Sequence, residues 1–154
     1  MAEHGFALVA WRRGGRWLLW SILLVLVPFD LAMISYHLLA GRPFGLTLTG
    51  LSAASAFYQL AIIVVPEELF FRGYLQGRLR SWSCARGLES AVVPIVLTAA
   101  LFALAHVLVE ASWLRAAVFF PGLVMGWLRE RSGGMAASAG FHWLANLSSL
   151  WLSL

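Results

Sequence analysis

Glu67, Glu68 and Arg72 stand together in a stretch that is otherwise apolar from Leu46 to Leu75. On a membrane helix each such group costs at least about 2.5–3.5 kcal/mol unless something pairs it. Glu68 and Arg72 are one helical turn apart and share a face, which predicts a salt bridge between them. Glu67 points about 100° away from Glu68, because an α-helix turns by that angle per residue. One acid is therefore tied to the arginine while its neighbour looks into a different space. Two further apolar stretches carry polar groups at helical spacing. Phe102 and His106 lie one turn apart, as do His142 and Asn146, with Ser138 and Ser149 extending the latter face. A carboxylate beside an imidazole can hold and deprotonate a water. An amide and a second imidazole can donate to a developing oxyanion. Peptide hydrolysis by directly activated water fits that inventory.

Other chemistries lack their residues. There is no H-E-x-x-H zinc helix and no G-x-S-x-G nucleophile motif. Asp30 is the sole aspartate, so an aspartate pair is excluded, and Cys84 falls in a polar connection far from either histidine. A zinc shell of Glu67, Glu68, His106 and His142 remains an alternative donor set. A non-catalytic scaffold or immunity protein is another, although a scaffold needs neither Asn146 nor both histidines. Taken singly, a membrane histidine or asparagine is as readily a helix–helix hydrogen bond, and Phe102 alone reads as core.

The elements that must position these groups are membrane helices. Of 154 residues 61% are hydrophobic and 12% charged, against about 25% charged in a soluble domain. The composition predicts an all-α, polytopic transmembrane bundle with the lipid bilayer as its partner. All eleven basic residues are arginines, concentrated in short gaps between apolar runs. That is the positive-inside pattern of a membrane protein and argues against nucleic acid. With one cysteine, no intramolecular disulfide can form.

In chain order, residues 1–16 read as a cytoplasmic leader and 17–154 as a single membrane domain. A first span covers Trp17 to about Leu39; it is too long for the apolar core of a signal peptide and lacks a small-residue cleavage site. Asp30 and Pro28 interrupt it, as a kink with a hydrated carboxylate or as a polar contact with the site. Gly41–Gly45 is a turn by composition. The second helix runs from about Leu46–Leu51 to Arg80, and Ser81–Glu89 is a loop. A third span covers about Leu88 to Val109, followed by a break at Ala111–Leu114. A fourth covers Arg115 to Leu128, Arg129–Gly134 is a loop, and a fifth runs from Met135 to Leu154. At about 1.5 Å per residue, Glu67, His106, His142 and Asn146 fall within one or two turns of a common depth.

The three motifs, Glu67-Glu68-x-x-x-Arg72, Phe102-x-x-x-His106 and His142-x-x-x-Asn146, occur in order with membrane helices around them. In this the chain resembles the CPBP family of CAAX proteases and bacteriocin-processing enzymes, over about Leu60 to Leu150. The resemblance implies a glutamate-type intramembrane endopeptidase without a metal or other cofactor, acting on a membrane-anchored protein or peptide. It implies that Glu67 activates water with His106, that His142 and Asn146 form the oxyanion site, and that Glu68 with Arg72 supports the geometry, with Phe102 beside them. With about five spans the chain lacks the extra helices of the prenyl-processing members. It is similar instead to the short bacterial, myxosortase-like group that clips C-terminal sorting anchors, which implies a bacterial cytoplasmic membrane.

Orientation follows from the arginines. Eight (Arg12, Arg13, Arg16, Arg78, Arg80, Arg86, Arg129 and Arg131) fall on the N-terminal side and only Arg42 and Arg115 opposite, which predicts a cytoplasmic N-terminus. Reporter fusions at Cys84 and after Leu154 are expected on opposite faces of the membrane. Finding both on one face overturns the five-span reading.

Overall fold

The computed structural model describes residues 11–41 and 52–152. Most of the leader, the turn at Arg42–Gly45 and the stretch Leu46–Leu51 lie outside the described residues. Helix α1 begins at Trp11, inside the segment expected as leader, and continues through Trp11–Ser21, Ile22–Leu26 and Val27–Leu39. Helix α2 covers Ala53–Cys84 and α3 Val92–Glu110. A 3₁₀ turn at Trp113–Val118 leads into α4, Phe119–Ser132, and α5 is Ala136–Trp151. Among the described residues there is no strand. Two connections expected as loops are shorter than their polar residues suggest. Helix α2 continues through Ser81–Cys84, and α4 continues through Arg129–Ser132 to a left-handed Gly133 at φ +74°.

Helices α1, α2 and α3 are long and apolar enough to cross a membrane. Helices α4 and α5, at 14 and 16 residues, fall short of the roughly 20 that span a bilayer by length alone. Leu24, Leu39, Leu108 and Val109 stand 65–90% exposed in isolation, as lipid-facing side chains do.

Proline shapes α1 and α2. Pro28 and Pro66 each lack an N–H, and their rings clash with the carbonyl one turn earlier. In both helices the turn before the proline widens into π geometry, at Ile22–Leu26 and at Gln59–Val64. A second π segment in α2, Leu69–Leu75, follows the glutamates directly. Here the guanidinium of Arg129 donates to the Arg72 carbonyl at 3.3 Å, satisfying a backbone group on that turn.

The core lies where α2, α3, α4 and α5 meet, around Phe71, Phe102, Met125, Leu128, Ala137 and Phe141. Helix α4 enters it on two glycines one turn apart. A Cβ on Gly122 would sit 3.3 Å from that of Ala99, and one on Gly126 would sit 3.1 Å from Ile95 Cγ2. Small residues let membrane helices approach this closely. The approach also presents α4 carbonyls to α2. Arg72 Nη2 donates to Gly122 O at 3.4 Å and Gln76 Nε2 to Gly126 O at 3.0 Å. Two residues one turn apart on α2 thus read two carbonyls one turn apart on α4.

Further polar contacts tie α5 to its neighbours. Trp143 Nε1 donates to Ala56 O at 2.9 Å, holding α5 to α2. Ser148 Oγ donates to Asp30 at 2.6 Å, holding α5 to α1. The interrupting aspartate therefore bonds a helix that carries site residues, but none of those residues itself.

Gly126→Val places branched carbon against Ile95 and Gln76, an overpacking that costs roughly 1–3 kcal/mol. The variant is expected to melt several degrees below the parent in detergent, with Gly122→Ala affected less. Unchanged melting of Gly126→Val would show that the α3–α4 approach is not tight.

Candidate active site

Glu68 and Arg72 have no exposed side-chain surface, and Arg72 Nη1 lies 2.8 Å from Glu68 Oε1. The predicted salt bridge is present. Both oxygens of this carboxylate are engaged, by three donors in all. Oε1 also meets His142 Nδ1 at 3.1 Å, and Oε2 accepts a hydrogen bond from Ser138 Oγ. Both partners come from the polar face of α5. The arginine is enclosed by rings, its guanidinium carbon 4.4 Å from the Phe102 centroid and 5.9 Å from that of Phe71. Phe102 is therefore more than filler, since its π face receives the buried cation.

Glu67 turns elsewhere, as its position one residue from Glu68 requires. It faces a cleft of about 650 Å³ whose walls also carry Phe102, His106, His142 and Asn146. Glu67 Oε2 is buried without a hydrogen-bond partner and lies 3.7 Å from His142 Nε2. His142 is thus set between the two acids. A carboxylate only accepts, so the contact to Glu68 fixes a proton on Nδ1 and leaves Nε2 facing Glu67. His106 is oriented by its own helix: Nδ1 lies 3.0 Å from the Phe102 carbonyl, which can only accept. Its Nε2 is left for the cleft.

Asn146 donates through Nδ2 to Gln59 Oε1 at 3.1 Å. An amide nitrogen has two hydrogens, so this contact fixes the side chain and leaves one donor available. Gln59 also lines the cleft and was not among the expected site residues. The signal was present: it is the one amide in the apolar run before Glu67, eight residues earlier. Sequence reading pairs Glu67 with His106, whereas the nearest imidazole nitrogen to Glu67 Oε2 is Nε2 of His142.

The alternative zinc shell is not assembled. Among the described residues no three His, Cys, Asp or Glu side chains converge as ligands. Glu68, one of the four nominated donors, is already engaged by Arg72, Ser138 and His142. At the mouth of the cleft α3 ends on Ala111, which takes a left-handed φ of 50°, and Glu110 pairs with Arg115 across this turn.

Apolar helices closed around carboxylate, imidazole and amide groups define an all-α membrane protein with a polar cleft in its interior. The family follows from comparison. The model of Rce1-like type II CAAX prenyl endopeptidases matches residues 49–148, a span that holds all seven nominated residues. The chain belongs to this family of membrane-embedded proteases. No curated protein and no solved structure matches it.

Arg72→Ala would leave the Glu68 charge buried and unpaired, a loss of about 3–5 kcal/mol. It is expected to lower the melting temperature in detergent sharply, and the double variant Glu68→Gln/Arg72→Met less so, because no charge is then stranded. A single variant as stable as the parent would show that the pair does not hold the fold.

Proposed function

We propose that the protein is an intramembrane endopeptidase in which Glu67 activates water for direct attack on a peptide bond. The observation that carries this reading is Glu67 Oε2. It is buried, lacks a hydrogen-bond partner, and faces a cleft shared with two histidines and an asparagine. Two carboxylates have been given different duties by their surroundings. Glu68 meets three donors and serves structure, while Glu67 keeps an acceptor for chemistry.

In this scheme Glu67 takes a proton from a water that also donates to His106 Nε2. The hydroxide oxygen bonds to the carbonyl carbon, and the displaced π electrons move onto the carbonyl oxygen. That oxyanion is met by the second hydrogen of Asn146 Nδ2 and by Nε2–H of His142 as an imidazolium, whose other N–H stays on Glu68. Collapse expels the amine, which takes the proton held by Glu67, so one water is consumed and the carboxylate is restored. Gln59 holds Asn146 in place, and Glu68 does the same for His142. No step requires a metal.

The substrate is proposed to be a membrane-anchored protein or peptide, clipped near a C-terminal sorting anchor. The cleft walled by α2, α3, α4 and α5 is the place proposed for the scissile bond. The protein itself is placed in a bacterial cytoplasmic membrane with its N-terminus inside.

Co-expression with C-terminally anchored substrates, read by intact mass, tests the assignment. Glu67→Gln and His106→Ala are expected to abolish cleavage with melting unchanged. Asn146→Ala should lower the rate by a factor of about 10²–10³, the usual worth of an oxyanion donor. Activity should persist in strong chelator. Full activity of Glu67→Gln would remove the central residue of the scheme, and loss on chelation with recovery on adding zinc would replace it with a metal mechanism. Cleavage restricted to prenylated substrates would redirect the substrate class.

A further inference from the structure

On the side of the bundle away from the catalytic cleft, α1 and α4 diverge and leave a second groove of about 590 Å³. Leu24, Val25, Leu123 and Val124 form its walls, and Trp17 and Trp127 stand at one end. The one hydroxyl in the wall, Ser21 Oγ, donates to the Trp17 carbonyl at 2.9 Å and offers nothing to a ligand. The walls are therefore hydrocarbon in character.

The tryptophan end is different. Trp17 and Trp127 meet edge to face with centroids 5.2 Å apart. The guanidinium of Arg16 stands 5.2 Å from the Trp17 ring, and that of Arg131 stands 5.6 Å from Trp17 and 5.8 Å from Trp127. Two cations from different helices thus converge on one indole. Both are exposed, and among the described residues neither has a carboxylate partner, unlike Arg72, Arg80, Arg115 and Arg129. Tryptophan marks the headgroup level of a bilayer, and guanidinium matches phosphate geometry with paired N–H donors. Long apolar walls below two uncompensated arginines at that level have the charge and shape of a phospholipid with net negative charge.

We infer that this groove is a binding site for one anionic phospholipid, its phosphate held by Arg16 and Arg131 and one acyl chain lying between α1 and α4. Basic pockets between membrane helices recognise anionic headgroups in this way. A zwitterionic lipid satisfies the walls equally but carries an ammonium group toward the arginines, so headgroup charge is the discriminating feature. The lipid seals the seam between α1 and the rest of the bundle, since α1 otherwise presents mostly exposed side chains along its length.

Native mass spectrometry of the whole protein in dodecyl maltoside, titrated with equal amounts of dioleoyl phosphatidylglycerol and dioleoyl phosphatidylcholine, tests the inference. One phosphatidylglycerol is expected to be retained with a preference of about tenfold or more, a few-fold for each arginine near the headgroup. Arg16→Gln/Arg131→Gln should bring the two lipids to near parity. Leu24→Trp, which fills the groove from the exposed side of α1 and keeps both charges, should lower retention of both. Equal retention of the two lipids by the parent protein overturns the proposal, as does full preference in the double arginine variant. Retention unaffected by Leu24→Trp would place the lipid outside the groove and overturn it as well.

Discussion

Two full charges, Glu68 and Arg72, lie with no exposure inside a bundle made almost wholly of apolar side chains. Transfer of either alone into such surroundings is far more costly than any single packing contact can offset. Their burial is tolerable because the carboxylate meets a guanidinium, an imidazole and a hydroxyl, and the guanidinium meets a carboxylate, a carbonyl and an aromatic face. Those partners come from α2, α3, α4 and α5. Satisfying one ion pair therefore fixes how four helices stand relative to one another. Side chains with no part in chemistry, such as Ser138 and the backbone of Gly122, become necessary to the site.

The same condition explains the irregular backbone of α2. In a regular helix each carbonyl keeps one lone pair after its own ladder bond, and in a π segment the shifted ladder opens carbonyls further to a neighbour. Such π segments lie on either side of Pro66, Glu67 and Glu68. Arg129 then donates to the Arg72 carbonyl, and Gln76 bridges Gly126 and Glu130. The polar network runs as a seam along the α2–α4 contact, and the absence of side chains at Gly122 and Gly126 brings the two backbones within its reach. Packing and polar satisfaction here are one requirement, because the glycines that allow close approach also expose the acceptors.

Beside this bonded framework the cleft gathers several uncommitted polar atoms on one surface. Glu67 Oε2, the Nε2 atoms of two histidines and one hydrogen of Asn146 are not consumed by the fold. Three of these four side chains are nevertheless anchored at the other end: His142 on Glu68, His106 on Phe102 O, and Asn146 on Gln59. An anchored group with one free valence loses little further freedom when substrate arrives, which is the physical content of preorganisation. The bonded and the unbonded carboxylate are one residue apart, and that single step of about 100° separates a closed seam from an open cleft.

Much of this was legible in the residues. Apolar runs give membrane helices irrespective of their neighbours, because an unsatisfied backbone in lipid is too costly for anything else. One-turn spacing gives the Glu68–Arg72 pair for the same local reason, and three polar motifs at one depth mark the site. Helix ends were less legible: Ser81–Cys84 and Arg129–Ser132 read as loops by their polarity, yet stay helical because that polarity serves contacts at the bundle's end. Gln59 stands out as a lone amide in an apolar run, but that does not say what it meets, and only the approach of α5 shows what it holds. The choice of His142 over His106 as the nearest neighbour of Glu67 belongs to the same class. Periodicity fixes which face of its own helix a side chain occupies. Which faces meet is decided by long-range packing, here by two glycines on α4 and an ion pair that must find its partners.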